Sequence, residues 1–151
     1  MVEDAVSNGF INYLGTTSDV LPIIREADCM VLPSYREGIS RVLMEAASME
    51  KPIIATNVTG CREVINDGET GFLCKVKSSV DLAHKMAKII NMTEKEKVVM
   101  GQKGRAKVIE EMDLEKIIDI YDYKIAAVLG EEEGITVDLQ ELISLRKTKK
   151  I

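Results

Sequence analysis

The sequence predicts an α/β protein built on a doubly wound parallel sheet. Short apolar runs of strand length, over residues 10–14, 29–32 and 53–56, alternate with amphipathic segments of helical period. Strands that alternate with helices at this spacing form a parallel sheet whose two faces are both covered by helices. With 151 residues, the chain is long enough to bury such a core without a disulfide or a structural metal.

The elements of the first half follow from these apolar runs and from the residues that cap or break them. Pro22 is tolerated in the first turn of a helix, and Pro33 ends the strand before it. The predicted order is a strand over 10–14, a turn at Gly15, Thr16 and Thr17, a helix capped by Asp19 that ends near Ala27, a buried strand over 29–32, a helix from about Arg41 to Met49, and a strand over 53–56.

The second half is more helical, and capping signatures locate its helices. The predicted order is a strand over 72–74, a helix capped by Ser78 and Asp81 that runs through Ile90, a helix capped by Thr93 and Glu96, and a helix that begins at Asp113, carries Leu114, Ile117, Tyr121, Ile125 and Val128 on one face, and stops at Gly130. We therefore expect one domain over residues 1–130 and an appendage with a weak apolar pattern over residues 131–151.

Composition and charge exclude several classes of protein. The net charge is −5 and no region concentrates Lys or Arg, so no nucleic-acid partner is expected. No apolar run approaches the roughly 18 residues that a membrane span needs, and the acidic start argues against a signal peptide. Cys29, Cys61 and Cys74 lack CxxC spacing, so neither a disulfide frame nor a zinc site is predicted. We expect a reducing, cytoplasmic location.

The most informative residues lie where the strand over 29–32 gives way to the next helix, which is where a doubly wound sheet binds ligands. The first-turn N–H groups of such a helix lack intrahelical partners, so a diphosphate can accept their hydrogen bonds. Gly38 allows a ligand to approach the backbone closely. Glu37 lies just before the helix and Glu45 about two turns further, where carboxylates can accept hydroxyls of a sugar and of a vicinal diol such as ribose.

Each of these features also has a purely structural interpretation. A glutamate before a helix is a common partner of the helix dipole, and spacing alone leaves both interpretations open. Arg62 and Glu63 predict an ion pair at a helix start, with contact between Arg62 and a ligand as the alternative. His84 is predicted to lie on the surface, and Tyr35 either packs or lines the sugar site.

A longer run of motifs resembles a known family. Glu37 to Ala47, followed by Lys51-Pro52-Ile53-Ile54-Ala55-Thr56 and then by Gly60-Cys61-Arg62-Glu63-Val64-Ile65, resembles the family-4 retaining glycosyltransferases. Asp67-Gly68 and Thr70-Gly71-Phe72-Leu73 continue the match, which spans about residues 10–129. The resemblance implies one Rossmann-like half of a GT-B fold, truncated at its N-terminal side. Its Glu-Gly-x-x-Arg variant is similar to bacterial members that build capsule, O-antigen and lipid-linked glycans.

The resemblance also implies roles for individual residues. Glu45 matches the residue that binds the ribose hydroxyls, and Glu37 matches the catalytic-site residue that contacts the donor sugar and stabilises rather than attacks. The other matched positions are a loop that meets sugar and phosphate (Gly38, Ile39, Ser40), two amides at the diphosphate (Val42, Leu43) and a region near the nucleobase (Gly15, Thr16, Thr17). The implied donor is a nucleoside diphosphate sugar, with UDP as its expected nucleotide and a guanosine nucleotide as the alternative. No metal or other cofactor is expected.

The sequence also departs from the family pattern. The acceptor-binding N-terminal domain and the upstream Arg and Lys that neutralise the diphosphate are missing, so we expect this piece to be inactive alone. Glu50 stands where relatives have Gly, and a left-handed backbone there would cost about 1 kcal/mol. The main hypothesis is the donor-binding part of a glycosyltransferase that works at the inner face of a membrane on a glycan or lipid-linked acceptor. The alternatives are one chain of a split enzyme, with the acceptor domain in trans, and a non-catalytic sugar-nucleotide binder.

Overall fold

A computed structural model describes residues 2–113, 115, 118–119 and 121–125 of the chain. From α2 onward, helices and strands alternate through its first half, as predicted. The elements in chain order are α1 (Val2–Ser7), α2 (Leu21–Glu26), β1 (Met30–Leu32), α3 (Arg41–Ser48), β2 (Ile53–Thr56), α4 (Thr59–Val64), β3 (Phe72–Cys74), α5 (Ser79–Asn91) and α6 (Glu94–Glu111).

The three strands form one parallel sheet in the order β1-β2-β3. Met30 is paired with Ile53 and Ile54 with Phe72, so β2 is the central strand. All four residues of β2 are buried, as expected for a strand that is covered on both faces. The predicted α/β class with a parallel sheet is confirmed.

The core lies on both faces of β2, because successive side chains of a strand point to opposite faces. On one face, Ile53 and Ala55 pack with Leu43 of α3 and Val64 of α4. On the other face, Ile54 packs with Ile89 of α5 and Met100 of α6. Helices therefore cover both faces of the sheet, as the doubly wound arrangement requires.

Predicted caps define the starts of the later helices. The Ser78 hydroxyl accepts from the Asp81 amide at 3.2 Å, although the Asp81 carboxylate accepts from the Lys75 amide rather than closing a capping box. Thr93 and Glu96 form a complete capping box at the start of α6. At the start of α2, the N-cap residue is Val20 rather than the predicted Asp19, although the Asp19 carboxylate accepts from the Leu21 amide at 3.0 Å.

The predicted strand over residues 10–14 is wrong. The Phe10 and Ile11 amides donate to the Ala5 carbonyl at the end of α1, at 2.9 and 3.2 Å, so they are not available for a sheet ladder. Apolar residues form a strand only when a neighbouring strand pairs with them, and here the side chain of Phe10 is 84% exposed. Helix α1 itself had no signal in the sequence beyond its acidic first turn.

The last predicted helix is only partly described. The Asp113 carboxylate accepts from the Glu115 amide at 2.8 Å, as a cap does, and residues 121–125 are helical. Leu114, Ile117, Val128 and Gly130 lie outside the described residues, as does the predicted boundary at residue 130 with its appendage over 131–151. The division of the chain at that boundary stays a prediction.

Candidate functional site

The loop between β1 and α3 ends at an uncapped helix start. Ser40, the N-cap residue of α3, is extended and buried and makes no side-chain cap hydrogen bond. The first-turn amides of α3, including those of Val42 and Leu43, therefore have no cap side chain to which they donate. Ile39 is 63% exposed at the same end of the helix. This arrangement leaves N–H donors at the place where the sequence predicted an anion.

Close contact with α4 holds the preceding loop in position. A Cβ on Gly60 would overlap the Gly38 carbonyl and would lie 2.6 Å from the Glu37 carbonyl oxygen. Only glycine at position 60 lets the first turn of α4 lie against the loop so closely. At Gly38, by contrast, an added Cβ would meet nothing within 4 Å, so this backbone faces open space.

Glu37 and Gly38 line a cavity of about 590 Å3, which we call the Glu37 cavity. Its lining combines the loop before α3 with the start of α4. The residues that line it are Tyr35, Arg36, Glu37, Gly38, Val58, Thr59 and Arg62.

Arg62 belongs to this cavity rather than to an ion pair. Its guanidinium donates to Asn57 Oδ1 at 3.0 Å and to Thr59 Oγ1 at 3.2 Å, which fixes it at the start of α4. The predicted ion pair with Glu63 is wrong, since α4 begins at Thr59 and the guanidinium turns back to that first turn. The alternative, that Arg62 lies where a ligand can reach it, is consistent with its place in the lining.

Glu45 lines a different cavity of about 370 Å3, which we call the Glu45 cavity. The loop before α2 forms one wall and the first turns of α3 form the other. The residues that line it are Thr17, Ser18, Asp19, Val20, Leu21, Arg41, Val42 and Glu45. The Arg41 Nε donates to Glu45 Oε1 at 2.9 Å, so the carboxylate is directed back toward the start of the helix.

The structure thus divides the predicted site into two groups. Glu37 and Gly38 lie in the Glu37 cavity, whereas Thr17, Val42 and Glu45 come together in the Glu45 cavity. The predicted residues that line neither of these two cavities are Gly15, Thr16, Ile39, Ser40 and Leu43. Leu43 is fully buried, so its side chain is not available for contact with a ligand.

A third cavity lies at the carboxyl ends of the strands and was not predicted. We call this space of about 310 Å3 the lysine cavity, after Lys75 and Lys77. Tyr35 lines both it and the Glu37 cavity, and the Lys77 ammonium lies 5.5 Å from the centre of the Tyr35 ring. Its signal in the sequence was two lysines close to the end of the strand over 72–74, Lys75 directly after it and Lys77 two residues further. Its lining is Pro33, Tyr35, Thr56, Cys74, Lys75, Lys77, Ser78, Ser79 and Leu82.

Titration properties near the site are those of buried thiols. Burial raises the pKa of the Cys61 thiol, and the negative charge of Glu37 raises it further. Burial also raises the pKa of Cys74, against a smaller lowering by its hydrogen bond with Thr56.

Within the described ranges, no three His, Cys, Asp or Glu side chains are grouped to hold a metal ion. His84 is exposed on α5, as predicted. None of the described helices combines the length and hydropathy needed to cross a bilayer.

The family model and two similar relatives found for this chain are all glycosyltransferases. The model of the family "Glycosyl transferases group 1" matches residues 6–107. The putative glycosyltransferase EpsD of Bacillus subtilis is 33% identical over 80% of this chain and 32% of its own length. The capsular polysaccharide biosynthesis glycosyltransferase CapM of Staphylococcus aureus is 32% identical over 78% of this chain and 30% of its own. The chain spans about a third of the length of these relatives.

Solved structures share the fold. HepE of Anabaena in complex with UDP matches with a TM-score of 0.76 and 21% identity, over 83% of this chain and 35% of that one. The C-terminal domain of a group 1 glycosyl transferase from Francisella tularensis matches with a TM-score of 0.63 and 24% identity, over 75% of this chain and 60% of that one. A glycosyltransferase of Rickettsia africae matches with a TM-score of 0.72 and 26% identity, over 81% of this chain and 35% of that one.

Proposed function

The chain belongs to the group 1 glycosyl transferases, with a three-stranded parallel sheet that matches half of a GT-B fold, and on that premise we propose that it binds a nucleoside diphosphate sugar. The nucleoside lies in the Glu45 cavity, the sugar lies at Glu37, and the diphosphate lies between them at the first turn of α3. The observation that carries the proposal is the direction of the Glu45 carboxylate, which turns toward that first turn within a cavity shared with Thr17.

The ribose is assigned to Glu45. A carboxylate accepts hydroxyl hydrogen bonds strongly, and a vicinal diol offers two donors at the right spacing. Arg41 uses only Oε1 of this carboxylate, so Oε2 is available for a ribose hydroxyl. Thr17 and Ser18 line the opposite wall, and they are assigned to the nucleobase. UDP is the expected nucleotide, since relatives of the same fold are described in complex with UDP and UDP-glucose.

The diphosphate is assigned to the amides at the start of α3. Val42 and Leu43 lie in the first turn, and their N–H groups do not donate to a cap side chain. These N–H groups are at the positive end of the helix dipole, which favours an anion. The open space above Gly38 allows phosphate and sugar oxygens to approach the backbone around Gly38, Ile39 and Ser40. Arg41 adds a cation in the same turn.

Glu37 is assigned to the donor sugar, at the edge of the Glu37 cavity. In the transfer that family membership implies, the bond between the sugar and the diphosphate breaks and a new bond to an acceptor hydroxyl forms. Glu37 then orients the sugar and stabilises the positive charge that develops on it, rather than forming a covalent bond. The retained configuration, the acceptor, and a site of action on the cytoplasmic side of a membrane remain predictions, and so does the need for an acceptor domain in cis or in trans.

Nuclear magnetic resonance of the 15N-labelled chain during titration with UDP tests the donor assignment. The amides of Ser18, Arg41, Val42 and Glu45 should show the largest shift changes, because they surround the nucleotide. Shift changes concentrated on α6, around Lys95 and Lys103 in a separate cavity, would contradict the assignment. Repeating the titration with GDP compares the two bases at the same residues.

A further inference from the structure

The lysine cavity lies at the carboxyl ends of the strands, where proteins with open parallel sheets bind their ligands. Pro33 directly follows β1, Thr56 ends β2 and Cys74 ends β3, so the cavity is lined at the carboxyl end of every strand of the sheet. It shares Tyr35 with the Glu37 cavity, and it shares no lining residue with the Glu45 cavity. A ligand group in the lysine cavity is therefore next to Glu37 and away from Glu45.

Cations outnumber anions around the two cavities that meet at Tyr35. Arg36 and Arg62 line one, Lys75 and Lys77 line the other, and Glu37 is the only carboxylate in either lining. Four positive charges less one negative charge give +3, in a chain whose formal net charge is −5. Asp81 lies behind the lining and bonds the Lys75 amide, and counting it still leaves +2.

The ion pairs among the described residues do not involve these four cations. Within the part of the chain that the structure describes, none of Arg36, Arg62, Lys75 and Lys77 forms an ion pair. Cations elsewhere do form them, at Lys85, Lys97, Arg105 and Lys107. Two of the four are also held in place: Arg62 by Asn57 and Thr59, and Lys77 over the Tyr35 ring. Cations that are positioned but unpaired around a cavity favour an anionic ligand.

We propose that these cations bind a phosphate group of the acceptor substrate, in the lysine cavity and beside the donor sugar at Glu37. The inference rests on the proposed function, in which the donor extends from the Glu45 cavity to Glu37. A group beyond Tyr35 then lies past the sugar, where an acceptor must approach for its hydroxyl to reach the reacting carbon. A phosphate carries about two negative charges, which the local excess of positive charge can match. The acceptor is therefore a phosphorylated molecule rather than a neutral glycan.

Inorganic pyrophosphate is the probe for this subsite, because it presents the phosphate chemistry without the rest of an acceptor. We would titrate it by calorimetry into the complete 151-residue chain saturated with UDP. The variants are the double change Lys75→Gln with Lys77→Gln, and the control Lys95→Gln with Lys103→Gln, which removes two exposed lysines from a cavity on α6. Both variants change the net charge equally, so they separate a local site from general attraction.

Pyrophosphate should bind to the UDP-saturated chain, and the Lys75 and Lys77 double variant should weaken its affinity about tenfold. The control should stay within about twofold of wild type, and UDP affinity should be unchanged in both. Loss of pyrophosphate binding in the presence of UDP would assign the cations to the donor diphosphate, and equal losses in the two variants would reduce the effect to net charge. Either result overturns the assignment of the acceptor phosphate to the lysine cavity but leaves the proposed donor binding unaffected. If UDP itself fails to bind, the proposed function is wrong and the acceptor assignment falls with it.

Discussion

The guanidinium of Arg41 and the carboxylate of Glu45 form a hydrogen-bonded ion pair, with 2.9 Å between Nε and Oε1. The pair spans one turn of α3, from the first residue of the helix to the fifth. Its two side chains differ in environment, since that of Arg41 is 88% exposed and that of Glu45 only 23%. The pair therefore directs a largely covered carboxylate toward the helix start while its cation stays in water.

Arg41→Gln should change the free energy of unfolding by less than about 0.5 kcal/mol. An exposed pair at this spacing contributes roughly 0.3–0.5 kcal/mol, and a cation in a first turn opposes the helix dipole. Urea denaturation measures the change, with Lys107→Gln as control, because Lys107 and Glu111 form a pair of the same spacing on α6. A loss above about 1.5 kcal/mol at Arg41 alone would show that the pair stabilises the fold rather than orients Glu45.

Gly60→Ala should destabilise the protein by about 2 kcal/mol. The added methyl group overlaps the Gly38 carbonyl, so the loop that carries Glu37 has to move away from α4. Gly104→Ala is the matched control, because its Cβ would lie 3.6 Å from the nearest atom, a normal contact in a helix interior. That change should be neutral or stabilising by up to about 1 kcal/mol. Similar effects of the two changes in urea denaturation would mean that α4 and the loop are not in such close contact.

Glu50→Gly should stabilise the protein by about 0.5–1 kcal/mol. Glu50 has a φ of 58°, in the left-handed region that costs an L-residue about 1–2 kcal/mol, and glycine removes that strain at some entropic cost. Its contact with Arg105, at 3.8 Å and exposed on both sides, contributes little. Glu50→Ala keeps the strain and loses only the contact, so it serves as the control. Thermal or urea denaturation should place the Gly variant above wild type and the Ala variant at or below it.

Stability should fall at alkaline pH in a way that depends on Cys29. Burial raises the pKa of this thiol from 9.0 to about 11, so its neutral form is favoured in the folded state. Its stabilising contribution is complete below about pH 9 and is lost as the pH rises to about 11, because the unfolded state releases the proton first. In urea denaturation across this range, Cys29→Ala should show a shallower decline than wild type. Parallel declines would contradict the assignment.

Most of the fold could be predicted because its signals are local. The strand at Ile53–Thr56, the helix that begins at Arg41 and the caps at Ser78 and Thr93 each depend on a few neighbouring residues, and all are found in the structure. At Glu50, where the resembled family has Gly, a left-handed backbone was considered only as a condition, and the structure has it, with a φ of 58°. The strand over residues 10–14 failed because a strand depends on a pairing partner, which an apolar pattern does not specify.

The candidate site was predictable only in part, for the same physical reason. The sequence places Glu37 and Glu45 on either side of a helix start, since seven residues lie between them. It does not show that they face different cavities, or that Thr17 lies opposite Glu45, because that depends on how α2 and α3 pack. Contact between Arg62 and a ligand was only the alternative prediction, and Lys77 was not predicted to line a cavity. Arg62 comes from α4 and Lys77 from the segment after β3, so they meet Tyr35 only in the folded chain.

A calorimetric titration of UDP into wild type, Glu45→Ala and Glu111→Ala tests the central claim most directly. Each substitution removes a glutamate that pairs with a cation one turn away, but only Glu45 lines the proposed nucleotide cavity. Glu45→Ala should weaken UDP binding by about tenfold or more, the usual effect of losing a hydrogen bond to a charged group, and Glu111→Ala should leave it within about twofold. An unchanged UDP affinity in Glu45→Ala would contradict the account, since the ribose would then lie elsewhere.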